Sequence, residues 1–394
     1  MRRSPVACMV GYFAYATDSR VQSYVGYLRN AGYEVDVVCL GSDGIPSTGV
    51  EDPGVTVYPL MDRKGKKKDR SRYLWNVTRF FFRAMWKVSR LHLPERRYRF
   101  LHVHNMPDVL VFTALVPKMF GAGVILDIHD IFPELYSRKY NAGMDSRIVR
   151  GLIRLERICC RFADYVIVAN DVWRDRVAQR SARRGRCVSI ANYPDTSLFS
   201  NANHEVSGSN NGTFEILYHG SFSEYHGLDT ALQSVGILRN RIGPFRFVLY
   251  GEGPYEPEMR AIIERLGLQD CVQIHEPVPL REIPSILKSA DIGVVPKKDG
   301  PFVGDAMSTK LFQYAVMGVP AVVSRTSAEQ RYFGEQDVRY FTPEDPEDMA
   351  KGVQEMYENR EYRFRLAMNA MDRMKEYSME SNQEKYLKIL PGIC

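Results

Sequence analysis

The chain has 394 residues, 45% of them hydrophobic and 25% charged, and a net charge of +6. That length allows two or three domains, and the balance excludes a disordered or collagenous chain; no apolar run reaches the roughly 18 residues of a membrane-crossing helix. Seven cysteines, scattered apart from Cys159-Cys160 and without metal-ligand spacing, suit a reduced, cytosolic protein rather than a disulfide framework.

At the start, Arg2-Arg3, the run Val6–Val10 and Ala14-Tyr15-Ala16 have the outline of a short signal peptide, but they read better as a first buried strand and a ligand-facing loop. Short β-rich runs then alternate with longer helical patterns. In the first half they are Val35–Cys39, Val55–Tyr58, Phe100–Val103, Val124–Ile128, Tyr165–Ala169 and Cys187–Ile190. In the second they are Phe214–Tyr218, Phe245–Tyr250, Cys271–His275, Ile292–Pro296, Ala321–Val323 and Val338–Phe341. Continuous apolar strands between helices predict parallel sheets covered on both faces, and two series predict two doubly wound α/β domains. Residues 200–213, rich in Asn, Ser and Gly, read as the linker between a domain at 1–199 and one at 214–379. Ligands gather at the carboxyl ends of such strands, so two facing sheets are expected to form a cleft between them.

Several residues of the first half are candidates for chemistry. Thr17-Asp18-Ser19-Arg20 follows the first strand, and Arg20 is a candidate for a phosphate or an acceptor, an ordinary surface arginine being the alternative. Asp127-Ile128-His129-Asp130 ends a strand, which places His129 for a cleft; His102 and His104, followed by Asp108, are weaker candidates. From Arg63 to Arg99 there are 14 Lys or Arg against Asp69 and Glu95, a net +12 and twice the charge of the whole chain. Tyr73, Trp75, Phe80, Phe82 and Trp86 interleave with Arg79, Arg83 and Lys87 there, a pattern suited to the headgroup region of an anionic membrane. A core-packed helix with a solvated basic face is the plain alternative. A nucleic-acid surface lacks any accompanying recognition motif, so no nucleic acid is expected.

The second half carries the most informative stretch. Ser308 or Thr309 can cap a helix that Gly318 ends, and Pro320 leads into a buried strand. Lys310 and Gln313, three apart, share a face near the helix start, where unpaired N–H groups and a lysine charge suit a diphosphate. Upstream, Leu217 to Phe222 and Glu224 to Asp229 outline a strand, loop and helix containing Ser221 and His226. Tyr250-Gly251-Glu252-Gly253-Pro254 is a glycine loop after a strand, where backbone can approach a ligand closely.

These motifs, in this order, resemble the retaining glycosyltransferases of family 4, and Ser308 to Phe312 resembles their bacterial surface-polysaccharide members. The resemblance covers nearly the whole chain, strongest over 214–324 and looser before residue 105. It implies the GT-B architecture of two facing Rossmann-like domains, with the last helix, about 380–390, crossing back onto the first. The family has two glutamates separated by seven residues; Asp305 and Gln313 hold those places here. By the resemblance Asp305 and His129 hold the donor sugar, Gln313 the ribose, and Lys310 with Ser308, Thr309, Ser221 and His226 the diphosphate, while Gly253 belongs to the nucleotide loop. The family's usual Arg and Lys on the diphosphate are replaced by Ser221 and His226, which throws weight onto Lys310.

The implied reaction moves a sugar from a nucleotide diphosphate to an acceptor hydroxyl with retention, on a polysaccharide or lipid-linked glycan at the cytoplasmic face of the plasma membrane. The leaving diphosphate itself takes the acceptor's proton. No Asp-x-Asp metal clamp is present, and neither metal nor other cofactor is expected. Rival readings are a nucleotide-sugar 2-epimerase and a degenerate relative that scaffolds a partner enzyme.

Overall fold

A computed structural model describes residues 4–41, 53–62, 70–195, 198–199 and 212–393. The chain divides into two compact units, Met1–Asn192 with Asn382–Cys394, and Tyr193–Ser381. This division falls before the 200–213 segment expected as the linker, of which 200–211 lies outside the described residues.

In the first unit β1 (Val6–Ala14), β2 (Glu34–Gly41), β3 (Val55–Asp62), β4 (Tyr98–His104), β5 (Gly123–Ile128), β6 (Tyr165–Val168) and β7 (Cys187–Ser189) form one sheet in the order β3-β2-β1-β4-β5-β6-β7. Neighbours pair in parallel throughout. The run after Arg2-Arg3 is therefore a central strand, with Ala7–Val10 buried. Strand β5 is buried along its whole length, as a strand covered on both faces must be.

The crossovers are α1 (Ser19–Asn30), α2 (Arg70–His92), α3 (Leu115–Met119), α4 (Phe132–Lys139), α5 (Arg147–Phe162) and α6 (Asp171–Arg180). Asp18, Ser146 and Asn170 cap α1, α5 and α6 by accepting from the backbone N–H groups of Val21, Val149 and Trp173.

The second unit repeats the plan. Strands β8 (Phe214–His219), β9 (Phe245–Tyr250), β10 (Val272–His275), β11 (Ile292–Val295), β12 (Ala321–Ser324) and β13 (Arg339–Phe341) order as β10-β9-β8-β11-β12-β13, again parallel. They carry α7 (Leu228–Leu238), α8 (Glu256–Leu266), α9 (Ile283–Ser289), α10 (Thr309–Met317), α11 (Ser327–Tyr332), α12 (Pro346–Glu358) and α13 (Arg360–Met374). Phe222, Leu232, Phe247, Leu249 and Met356 pack in one core between sheet and helices. Both sheets reverse strand order beside their first strand, at β1/β4 and β8/β11, the position where an open α/β sheet leaves a crevice at its carboxyl edge.

The last helix, α14 (Met379–Ile389), has its residues from Asn382 onward in the first unit. Asn382 Nδ2 donates to the Ala191 carbonyl at 2.9 Å, and the buried Tyr386 hydroxyl lies 3.0 Å from His102 Nδ1.

Candidate functional site

In the first unit the carboxyl ends of β4 and β5 carry a buried polar cluster centred on Asp127. Arg20 grips both its oxygens, Nε to Oδ2 at 2.9 Å and Nη2 to Oδ1 at 2.7 Å, and uses Nη1 on the Ile190 carbonyl and Asn192 Oδ1, both at 2.7 Å. The expectation that Arg20 reaches a phosphate or an acceptor, or is a surface residue, is corrected. The capped start of α1 turns Arg20 inward, it is 8% exposed, and its guanidinium is committed to internal acceptors.

Asp127 Oδ2 also lies 3.2 Å from His104 Nδ1 and 3.1 Å from His129 Nε2, and these two nitrogens are 3.1 Å apart. Burial alone favours protonated Asp127, but Arg20 and then His129 outweigh it and hold the carboxyl well below its ordinary range. Burial pushes His104 and His102 down, so both imidazoles stay neutral beside the carboxylate. His102, His104 and Asp127 bring ligand-type atoms within 4.8 Å of one another. Arg20 already neutralises that carboxylate, and His102 Nε2 stays 3.9 Å from it, so the trio makes a poor metal nest. His129 is the member that meets solvent, its side chain 23% exposed, with its backbone N–H held by Asn105 Oδ1 at 2.8 Å.

The second unit gathers half of its expected residues, His226, Ser308, Thr309 and Lys310, in one pocket at the start of α10. Tyr218 and Lys297 line it too. Ser308 occupies the N-cap position but makes no side-chain capping bond, and Gly318 closes the helix in the left-handed region with φ 70°. The capping acceptor comes from elsewhere: Glu329 Oε1 takes the Ser308 N–H at 3.2 Å. The other oxygen of Glu329 takes the Thr326 hydroxyl and pairs with Lys297 Nζ at 2.6 Å, and Lys297 also donates to the Ala306 carbonyl at 2.5 Å.

Lys310 lies beside this pair. Its Nζ sits 5.0 Å from the centroid of the Tyr218 ring, a cation–π contact. Burial, and then the charge of Lys297, lower its pKa to about 8. A Cβ on Gly220, at φ 120°, would come within 3.3 Å of that Nζ, so the strand end leaves the ammonium just enough room.

His226 Nδ1 lies 2.6 Å from the Ser221 carbonyl, an acceptor, so Nδ1 carries the hydrogen. Nε2 then donates to an anion only when the ring is protonated. Gly227 follows at φ 66°, and a Cβ there would stand 1.8 Å from the Pro296 carbonyl oxygen.

Four residues are placed differently from the sequence expectation. Asp305 does not line the pocket: it is buried, and its Oδ1 accepts the Ser327 hydroxyl at 2.6 Å. Gln313 is half-buried one turn beyond Lys310 and also lies off the lining. The glycine at 253 answers a packing need, since a Cβ there would lie 2.1 Å from the Phe222 carbonyl oxygen. Ser221 is exposed, its hydroxyl 3.1 Å from that of Ser223.

Sequence reasoning missed Lys297 and Glu329. Lys297 carried a usable signal, a charge directly after the buried run Ile292–Pro296. Glu329 bonds Thr326 at the start of its own helix, but its other partners, the Ser308 N–H and Lys297, come from two other segments.

Comparison with known proteins agrees with this fold. Residues 17–193 match the profile of the glycosyl transferase 4-like domain, and 199–373 that of the glycosyl transferases group 1. The colanic acid biosynthesis glycosyltransferase WcaL of Escherichia coli is 25% identical over 165 residues, a match spanning only 41% of this chain and 39% of that relative. Sucrose-phosphate synthase of Thermosynechococcus elongatus superposes with a TM-score of 0.75 at 16% identity, covering 99% of this chain and 98% of that one. HepE of Anabaena, in complex with UDP, superposes with a TM-score of 0.73 at 13% identity, covering 98% and 99%.

Proposed function

We propose that this chain, which belongs to the group 1 glycosyltransferases, transfers a sugar with retention from a nucleoside diphosphate to an acceptor hydroxyl. The observation that carries the reading is the cationic mouth of α10, where Lys310 and the N–H groups of the first helical turn share one pocket with Lys297 and His226. Helix starts and lysines both favour phosphate oxygens, and the partly desolvated Lys310 favours them more strongly than a solvated lysine does. The UDP held by the similar HepE fold supports a nucleotide-sugar donor.

In the reaction the bond from the anomeric carbon to the phosphate oxygen breaks, and the acceptor oxygen bonds to that carbon on the same face. The acceptor's proton passes to the leaving phosphate oxygen. Lys310 stabilises the charge growing on the diphosphate, which is the larger part of the protein's contribution. His129, held by Asp127 and Asn105, is assigned to the donor sugar and Gln313 to the ribose. Asp305 is assigned to shaping the loop before α10, through Ser327, as well as to the sugar.

The acceptor is a polysaccharide or lipid-linked glycan, and the enzyme is peripheral on the cytoplasmic membrane face. The basic stretch 63–99 and the polysaccharide relative support this. Its residues Arg63, Lys64, Lys66, Lys67 and Lys68 lie outside the described residues, and no described helix is long and apolar enough to cross a membrane.

The test is a thermal-shift panel of nucleoside diphosphates and their sugars, since a ligand of the native state raises its stability by an amount set by affinity. The stabilising donor is then offered acceptors, and the product's anomeric configuration is read by NMR. Failure of every nucleoside diphosphate to stabilise the protein, with no donor consumed, defeats the proposal; an inverted product defeats the stereochemical part.

A further inference from the structure

Two helices of the first unit share one surface design. On α2, Trp75, Phe82 and Trp86 recur at spacings of seven and four, so they stand in one stripe. They are 67%, 58% and 60% exposed, unusual for such large apolar side chains. Beside them run Arg72, Arg79, Arg83 and Arg90, also exposed, and Arg90 lies over the Trp86 ring at 5.1 Å. On α5, Ile148, Leu155 and Ile158 form the exposed apolar stripe, and Arg147, Arg150, Arg154, Arg157 and Arg161 the cationic one.

Both helices pack on the same segment, Asp108–Ala114, and α2 also on α3, whose end carries the exposed Met119 and Phe120. The stripes therefore belong to one side of one unit. Helix α2 contains no acidic residue, and the single one in α5, Glu156, is buried against Arg180.

We propose that α2 and α5 together form a two-helix docking surface for an anionic lipid bilayer. Arginines beside aromatic and aliphatic residues match the boundary between headgroups and acyl chains, where apolar side chains enter and guanidinium groups stay with phosphates. Charge decides against a second copy of the chain, because a two-fold interface would set arginine stripe against arginine stripe. The inference rests on the membrane reading above but moves the contact beyond the basic stretch 63–99, to a helix that starts 48 residues after it.

The experiment uses the full chain with phosphatidylcholine vesicles, with and without phosphatidylglycerol. Of the three tryptophans, Trp173 is buried, so an emission blue-shift on docking reports Trp75 and Trp86. Wild type is expected to sediment with anionic vesicles, blue-shift, and release partly in high salt. Ile148→Ser/Leu155→Ser/Ile158→Ser and, separately, Arg147→Gln/Arg150→Gln/Arg154→Gln are each expected to lose affinity about tenfold or more, with nucleotide binding and thermal midpoint unchanged.

If both α5 variants sediment like wild type while Trp75→Ser/Trp86→Ser does not, the two-helix surface is overturned and the membrane reading stands. If wild type ignores all vesicles yet binds nucleotide, both fall. If wild type is a dimer that the α5 variants split and vesicles are ignored, the face belongs to self-association and the inference is wrong.

Discussion

Arg20 holds Asp127 through both carboxylate oxygens, at 2.9 and 2.7 Å, although 107 positions separate them in the chain. Neither side chain is more than 6% exposed, so the pair ties α1 to β5 inside the first unit. Removing one member of such a pair strands the other charge. Arg20→Ala is expected to lower unfolding stability by about 3 kcal/mol or more. Arg20→Lys recovers only part, because an ammonium lacks the planar fork. Urea denaturation of the three proteins gives the comparison.

The same pair sets an acid limb. Asp127 has a depressed pKa in the folded protein, so it binds fewer protons folded than unfolded once pH drops below the ordinary carboxylate value of about 4. Its stabilisation is complete above that value and drains away as pH falls further, towards the folded pKa. Arg20→Ala should flatten this limb in denaturation curves taken between pH 5 and 3, values that bracket the ordinary carboxylate pKa of about 4.

Lys310 gives the same sign in an alkaline window. Its pKa, about 8 when folded, is lower than in the unfolded chain, so stability contributed by this group rises as pH climbs from 8 towards 10.5. A bound diphosphate favours the ammonium and takes up a proton above pH 8. Nucleoside diphosphate binding should therefore weaken as pH rises past 8, with proton uptake visible by calorimetry in buffers of different ionisation heat. Lys310→Arg should remove that dependence. Lys310→Ala should cost about a hundredfold in turnover, on the order of 3 kcal/mol, with the fold intact. Near-wild-type turnover would end the phosphate assignment.

Glu329 and Lys297 form a buried pair that only works complete. Glu329→Gln leaves a cation stranded beside Lys310 and should destabilise by about 3 kcal/mol, whereas Lys297→Met with Glu329→Gln should recover most of it. The double variant is still expected to bind diphosphate through Lys310, but more weakly. Chemical denaturation and calorimetry on the four-protein cycle separate the two effects.

Gln313→Glu is expected to keep activity and tighten nucleotide binding about threefold, since a carboxylate accepts more strongly from ribose hydroxyls. Titration calorimetry decides it, and weaker binding would move the ribose away from Gln313.

The sequence was most legible where one residue's neighbours in the chain decide its environment. Each apolar run read from it is a strand, most plainly the interior ones, which must be apolar on both faces, and Gly318 ends α10 because only glycine takes that backbone turn cheaply. Arg20, Glu329 and Gly253 were not legible for one common reason. Each answers to a group in another segment: the Asp127 carboxylate, the Ser308 N–H and Lys297, and the Phe222 carbonyl. Asp305 is the instructive middle case. Its spacing from Gln313 was visible, but its commitment to Ser327 was not.

The contact between Gly227 and the Pro296 carbonyl sets a limit on how this enzyme can be re-engineered. Pro296 immediately precedes Lys297, and the Lys298 N–H is bound to the Tyr225 carbonyl at 3.0 Å, so two strand-end loops are locked together across the pocket. In a library aimed at the proposed donor, side chains that line the pocket can be exchanged. Position 227 cannot join that library: any side chain there displaces the segment that carries Lys297, and a variant scored as having lost its donor preference would have lost the proposed anion site instead.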